Sequence, residues 1–182
     1  MENTIGKRVI NLSKEAAFIL LTVVGAVLLP QVVHGLGVIL GVGGKLGQML
    51  LPMYLPVFII GVCRGSVHGA VVGLTAPIIS FAITGMPTAA LLPYITVELV
   101  ATGLLAGAFR SFKLTAVLRV LLVQVVAKIV RLAVFATVMY LNSGVITATG
   151  LFAGIVTSVP GVLIQLAVIS FIIIAKEKKD NV

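Results

Sequence analysis

Three charged residues inside apolar stretches are the clearest candidates for chemistry in this sequence. Glu98 is the one carboxylate in the interior of such a stretch, and Lys128 and Arg131 stand three apart in another. Residues three apart share one face of a helix. An ionised group at membrane depth costs at least about 2.5–3.5 kcal/mol, so it usually faces a cavity or pairs with another charge. Two cations and one carboxylate leave one surplus positive charge, so a pocket holding all three would favour an anionic ligand group.

A purely structural interpretation of the same residues stays open. Glu98 and Arg131 alone would then tether two helices, while the long side chain of Lys128 reaches towards the membrane surface. That interpretation leaves one cation without a carboxylate partner.

A second group of polar residues falls at one common end of the apolar stretches. Taken singly, each is typical of an interfacial anchor or a helix cap, but their shared side makes them candidate ligand contacts. They are Gln48, Tyr54, Thr84, Tyr94 and Asn142. Gln124 and Gln165 lie within apolar stretches and are predicted to bridge neighbouring helices.

The composition is that of a polytopic membrane protein. The 182 residues are 60% hydrophobic and 10% charged, against about 45–50% and about 25% in soluble domains. The mean hydropathy is +1.25. A single cysteine, Cys63, excludes a disulfide framework, and with two histidines no metal site is predicted. No catalytic set is recognised either, so we expect neither enzymatic activity nor a cofactor.

The apolar stretches predict an all-α membrane protein with six transmembrane helices in one bundle, because backbone groups in lipid must pair internally. The chain forms one domain over 1–182, with short tails at about 1–14 and 176–182. Pro52 and Pro56 predict an irregular start to the second helix. The predicted helices are 15–33, 49–63, 66–84, 89–108, 114–141 and 150–175.

The basic residues predict the orientation of the bundle. With six spans, ten of the thirteen lysines and arginines fall at the end that carries both termini. Positive residues accumulate on the cytoplasmic side, so we expect a multi-pass cell-membrane protein with both termini cytoplasmic. The net charge of +8 is then explained by orientation in the bilayer, and no nucleic-acid partner is expected.

Small residues recur at four-residue spacing, as at Gly69 and Gly73. In lipid, this spacing lets helix backbones approach closely. The spacing fits packing inside the bundle and also a docking face for another membrane protein, and the sequence does not separate the two.

Several ordered motifs carry a resemblance to a known family. They include Leu51–Val57 (LPMYLPV), Gly69–Gly73 (GAVVG), Thr84–Pro87 (TGMP) and Val159–Leu166 (VPGVLIQL). Over about residues 45–170 the chain resembles the substrate-binding S component of an energy-coupling factor (ECF) vitamin transporter. Many relatives have His where this chain has Tyr54.

The resemblance implies a six-helix subunit that captures a micronutrient at its extracellular side with high affinity. It implies docking onto a membrane coupling subunit with two cytoplasmic ATPases, followed by inward release. The implied ligand site, near the outer face, agrees with the positions of Glu98, Lys128 and Arg131. The family's first helix often carries an Ala-x-x-x-Ala docking stripe. The candidate docking residues here are Ala17, Gly25, Ala26, Gly69 and Gly73.

The substrate expected first is pantothenate, because a cationic pocket suits a small carboxylic acid. Cobalamin or a precursor comes next, followed by a pyridoxine- or pyrimidine-like ligand. One alternative is a standalone secondary transporter coupled to protons through Glu98, and another is a structural membrane scaffold.

Overall fold

The computed structural model describes residues 2–43, 45–141 and 154–180, with side chains described from residue 13 to residue 179 within those ranges. This part of the chain contains helices and no strands. Its α-helices are α1 (Glu2–Ile39), α2 (Lys45–Leu50), α3 (Tyr54–Arg64), α4 (Ser66–Thr84), α5 (Leu92–Ala108), α6 (Ala116–Tyr140) and α7 (Val159–Asp180). A short 3₁₀ helix, Phe109–Ser111, follows α5, and residues 154–157 are also helical.

Six helical stretches of the described chain are long and apolar enough to cross a membrane, which confirms the predicted number of spans. They are Ser13–Ile39, Lys45–Arg64, Ser66–Thr84, Leu92–Ser111, Ala116–Tyr140 and Val159–Lys179. Large apolar side chains cover the outside of the bundle; Leu21 is 69% exposed and Phe171 is 73% exposed. Such an apolar surface is matched to lipid rather than to water.

The second span is broken where the sequence predicted irregularity. Helix α2 ends at Leu50 and α3 begins at Tyr54. Leu51, between them, has a φ of 47°. Its carbonyl accepts hydrogen bonds from the Tyr54 amide at 3.1 Å and from the Gln165 side chain at 3.4 Å. Backbone freed by the break is thus partnered within the protein, as it must be in lipid.

Helix α1 continues to Ile39, so the predicted end of the first span at residue 33 is wrong. The helix stops six residues later, where the Gly37 carbonyl accepts the amides of Val42 and Gly43, both at 2.9 Å. Gly41 and Gly43 adopt φ values of +72° and +58° there, a conformation that glycine tolerates best. Residues 34–39, which the predicted spans leave outside any helix, are therefore helical.

Helices α4 and α5 pack with their backbones almost in contact. A Cβ atom at Gly69 would lie 2.3 Å from the Gly103 carbonyl oxygen, and one at Gly73 would lie 2.5 Å from the Leu99 carbonyl oxygen. The four-residue spacing of small residues in α4 thus serves packing inside the bundle. Gly69 and Gly73, predicted as docking residues, are covered by α5 and form no open surface.

The remaining docking candidates lie on α1. Ala26 is fully buried in the core, so it too is closed to a partner. Ala17 is exposed, and Gly25 is half-buried with nothing within 4 Å of the position of a Cβ atom. These two residues leave a small-residue surface on the outside of the bundle.

Two polar contacts bring the first and last spans to the same end of the bundle. Glu15, near the start of the first span, lies 3.6 Å from Arg64 at the end of α3. The Lys176 ammonium, near the end of α7, donates to the Val62 carbonyl of α3 at 3.1 Å. We call this the termini end, and the end holding the α1–α2 connection the opposite end.

Candidate functional site

The three charged residues of the apolar stretches meet in the structure. Glu98, on α5, is 1% exposed. Its Oε1 lies 3.1 Å from the Lys128 Nζ, and its Oε2 lies 2.8 Å from the Arg131 Nη1. Each carboxylate oxygen therefore has its own cation, and Lys128 is not left over as in the two-residue tether. The cluster holds one net positive charge in the interior of the bundle.

A cavity of about 380 Å³ adjoins this cluster on the side of the opposite end. It lies among α1, the break between α2 and α3, the loop between α4 and α5, and α6. Its polar lining includes His34, Gln48, Tyr54, Ser80 and Arg131. The volume lies within the range of about 300–1,000 Å³ typical of small-molecule sites.

Arg131 connects the charge cluster to the cavity. Its guanidinium holds Glu98 through Nη1, while its Nε is buried and has no hydrogen-bond partner among the described residues. The side chain is 11% exposed. Glu98 and Lys128 do not line the cavity, so Glu98 acts behind Arg131, holding the guanidinium in position.

Tyr54 and His34 add two further buried polar groups. Tyr54 is 3% exposed, and its hydroxyl lies close to the Glu98 carboxylate without a hydrogen bond of standard geometry to any described residue. The His34 Nδ1 is buried and has no hydrogen-bond partner among those residues. An unsatisfied buried polar group costs about 1–3 kcal/mol. Arg131, Tyr54 and His34 line the same cavity, so a ligand that carries hydrogen-bonding atoms is favoured there.

His34 and Ser80 are polar lining residues that the sequence does not indicate. The predicted first span ends at residue 33, which leaves His34 outside it. In the structure its ring packs on α2, and a Cβ atom at Gly47 would lie 2.4 Å from the His34 Cε1. The sequence offered one signal: His34 directly continues the apolar stretch that forms α1, and Gly47 in the next helix leaves room for its ring.

The other predicted contacts divide between the cavity and its surroundings. Gln48 lines the cavity, as does Tyr54. The Thr84 hydroxyl is used elsewhere: it donates to the Ser80 carbonyl at 2.8 Å and accepts from the Gln31 amide at 3.3 Å. Thr84 thus caps the end of α4 instead of forming the cavity wall.

Tyr94 also lies outside the cavity lining. It is 4% exposed and packs on Phe135 with ring centroids 5.9 Å apart, which joins α5 to α6 through an aromatic contact. Asn142 lies outside the described residues. Gln124 and Gln165, each predicted to bridge neighbouring helices, do so by bonding to each other: the Gln124 amide on α6 donates to the Gln165 side-chain oxygen on α7.

Comparisons of the chain with protein-family models, with curated proteins and with solved structures found no significant match. Function is therefore inferred from the cavity, its polar lining and the charge cluster behind it. Within the described ranges, no group of three or more His, Cys, Asp or Glu side chains is placed to hold a metal ion. The chemistry offered by the cavity is recognition of a small polar molecule with an anionic group.

Proposed function

We propose that the chain is the high-affinity substrate-binding subunit of an ECF-type importer for a water-soluble vitamin. The observation that carries this proposal is a cavity whose lining residues Arg131, Tyr54 and His34 hold unpartnered buried polar atoms. In a membrane-embedded bundle, such atoms gain most from a ligand that supplies the missing partners. The resemblance of the Leu51–Val57, Thr84–Pro87 and Val159–Leu166 motifs to those of ECF S components supports the same proposal.

Pantothenate is the substrate that best fits the size and charge of the cavity. Its carboxylate would pair with Arg131, whose cluster carries one net positive charge, and its hydroxyl and amide groups would face Tyr54 and His34. The corrin ring of cobalamin is much larger than a cavity of about 380 Å³. A pyridoxine-like ligand would fit by size but lacks the negative charge that the cluster favours.

We propose an orientation and a set of partners from the basic residues at one end of the bundle and from the surface of α1. Arg64, Arg119 and Lys176 lie at the termini end, so we assign that end to the cytoplasm by the accumulation of positive residues there. The cavity then opens towards the outside, where a vitamin is captured. Release to the inside requires a membrane coupling subunit and two cytoplasmic ATPases, and the exposed Ala17 and half-buried Gly25 on α1 are the surface we assign to docking.

Proton-coupled secondary transport through Glu98 is the second candidate, and the contacts of Glu98 do not favour it. Both carboxylate oxygens are occupied by cations at 3.1 and 2.8 Å. Glu98 is thus held in ion pairs inside the bundle and does not line the cavity.

Native mass spectrometry of the chain purified in mild detergent, followed by titration with pantothenate, cobalamin and pyridoxine, tests the proposal. We expect one pantothenate per chain and no comparable binding of the other two. Uptake into proteoliposomes should require the coupling subunit, the ATPases and ATP. Uptake by the chain alone along a proton gradient would establish the secondary transporter instead, and absence of saturable binding by all three compounds would refute the vitamin-binding function.

A further inference from the structure

A second cavity, of about 330 Å³, lies at the termini end of the bundle. It is separate from the first in its lining and shares no residue with it. Its floor lies among α3, α5, α6 and α7 and is apolar. Phe58, Val62, Val123 and Ile173 form much of this floor, and each is 4% exposed or less.

The rim of this second cavity carries an excess of positive charge. Arg119 is neutralised by Glu177, with Nη2 and Oε1 2.7 Å apart. Arg110 and Lys176 also line the cavity, and neither has a carboxylate within 4.0 Å in the part of the chain that the structure describes. The Lys176 ammonium is instead held at the end of α3, where the Val62 carbonyl accepts from it at 3.1 Å. Two uncompensated cations therefore stand over an apolar floor.

We propose that this cavity is a binding site for an anionic phospholipid, with the phosphate between Arg110 and Lys176 and an acyl segment on the apolar floor. Basic pockets between transmembrane helices bind the head groups of anionic lipids. A soluble phosphate ester would use the rim alone and leave the apolar part of the cavity unfilled, so the combination of a cationic rim and an apolar cavity favours a lipid. Arg110 is exposed, which leaves the rim open to the membrane surface.

Native mass spectrometry of the chain with phosphatidylglycerol, and in parallel with phosphatidylcholine, tests this site. We expect one tightly retained phosphatidylglycerol per chain. The double variant Arg110→Gln/Lys176→Gln should bind it about 25-fold more weakly, at about fivefold for each cation. The double variant Lys178→Gln/Lys179→Gln removes the same charge from the exposed last turn of α7, outside the cavity lining, and should lose clearly less affinity than the cavity variant.

Three results would overturn the proposal: equal retention of phosphatidylcholine, equal loss of binding in the tail variant, or equally tight binding of sn-glycerol 3-phosphate without lipid. The last of these would assign the rim to a soluble phosphate ester. Should the double variant fail to fold, Arg110→Gln alone decides, since this side chain is exposed and donates no hydrogen bond to any described residue. The single variant should lose about fivefold in affinity, and unchanged affinity would refute the site.

Discussion

Replacing Arg131 by alanine tests the link between the charge cluster and the cavity. Arg131 has two roles in the structure: its Nη1 holds Glu98 at 2.8 Å, and its Nε is left unpartnered in a residue that lines the cavity. Lys128 has only the first of these roles, since it holds Glu98 at 3.1 Å and does not line the cavity. Lys128→Ala is therefore a matched control that removes one cation from the same carboxylate.

The expected loss follows from the contact that Arg131 offers to a ligand carboxylate. A hydrogen bond to a charged group contributes about 1.5–3 kcal/mol, and each 1.4 kcal/mol corresponds to a factor of ten in Kd. Arg131→Ala should therefore weaken pantothenate binding roughly 10- to 150-fold. Lys128→Ala should weaken binding less than Arg131→Ala does: the cavity retains its guanidinium, although the cluster loses its surplus positive charge.

Isothermal titration calorimetry of each purified variant with pantothenate measures this difference, and thermal unfolding in detergent provides the stability control. Both variants should lose similar thermal stability, because each leaves Glu98 buried with a single cation. A similar loss of affinity in the two variants would show that binding depends on the charge cluster as a whole. Unchanged affinity in a folded Arg131→Ala protein would show that Arg131 is structural only, and the reasoning would be wrong.

Two glycine substitutions test the packing that shapes the bundle and the cavity. Gly103→Ala would place a Cβ atom 2.2 Å from the backbone of α4 and should destabilise the protein by about 1–3 kcal/mol. Thermal unfolding measures this loss against the control Gly25→Ala, whose Cβ atom meets nothing within 4 Å. Equal melting temperatures of the two variants would contradict the prediction. Gly47→Ala would displace the ring of His34, 2.4 Å from the new Cβ atom, and should weaken pantothenate binding about fivefold, the equivalent of one hydrogen bond. Gly35→Ala, which also meets nothing within 4 Å, is the control in the same titration, and unchanged affinity in both variants would exclude His34 from the site.

The sequence by itself determined the number of spans and the break in the second one. Hydropathy sets the spans because about 20 apolar residues in lipid have little choice but a helix. The break at Leu51 was predictable because Pro52 and Pro56 each remove a backbone donor. The end of α1 was not predictable in the same way, since it depends on amides of Val42 and Gly43 that reach back to the Gly37 carbonyl.

For the candidate site, the sequence indicated Glu98, Lys128 and Arg131 because the cost of burying a charge in lipid makes such residues stand out individually. Only the tertiary structure decided the role of each residue. Both cations hold Glu98, and Arg131 alone of the three lines the cavity. Burying a neutral polar residue in lipid costs less than burying a charge, so such residues stand out less in the sequence. Their positions indicated only that they lie towards the same end of the bundle. Packing between helices placed His34 in the wall of the cavity and left Thr84 outside it as a cap, since contacts between distant segments depend on how the helices dock and not on hydropathy along the chain.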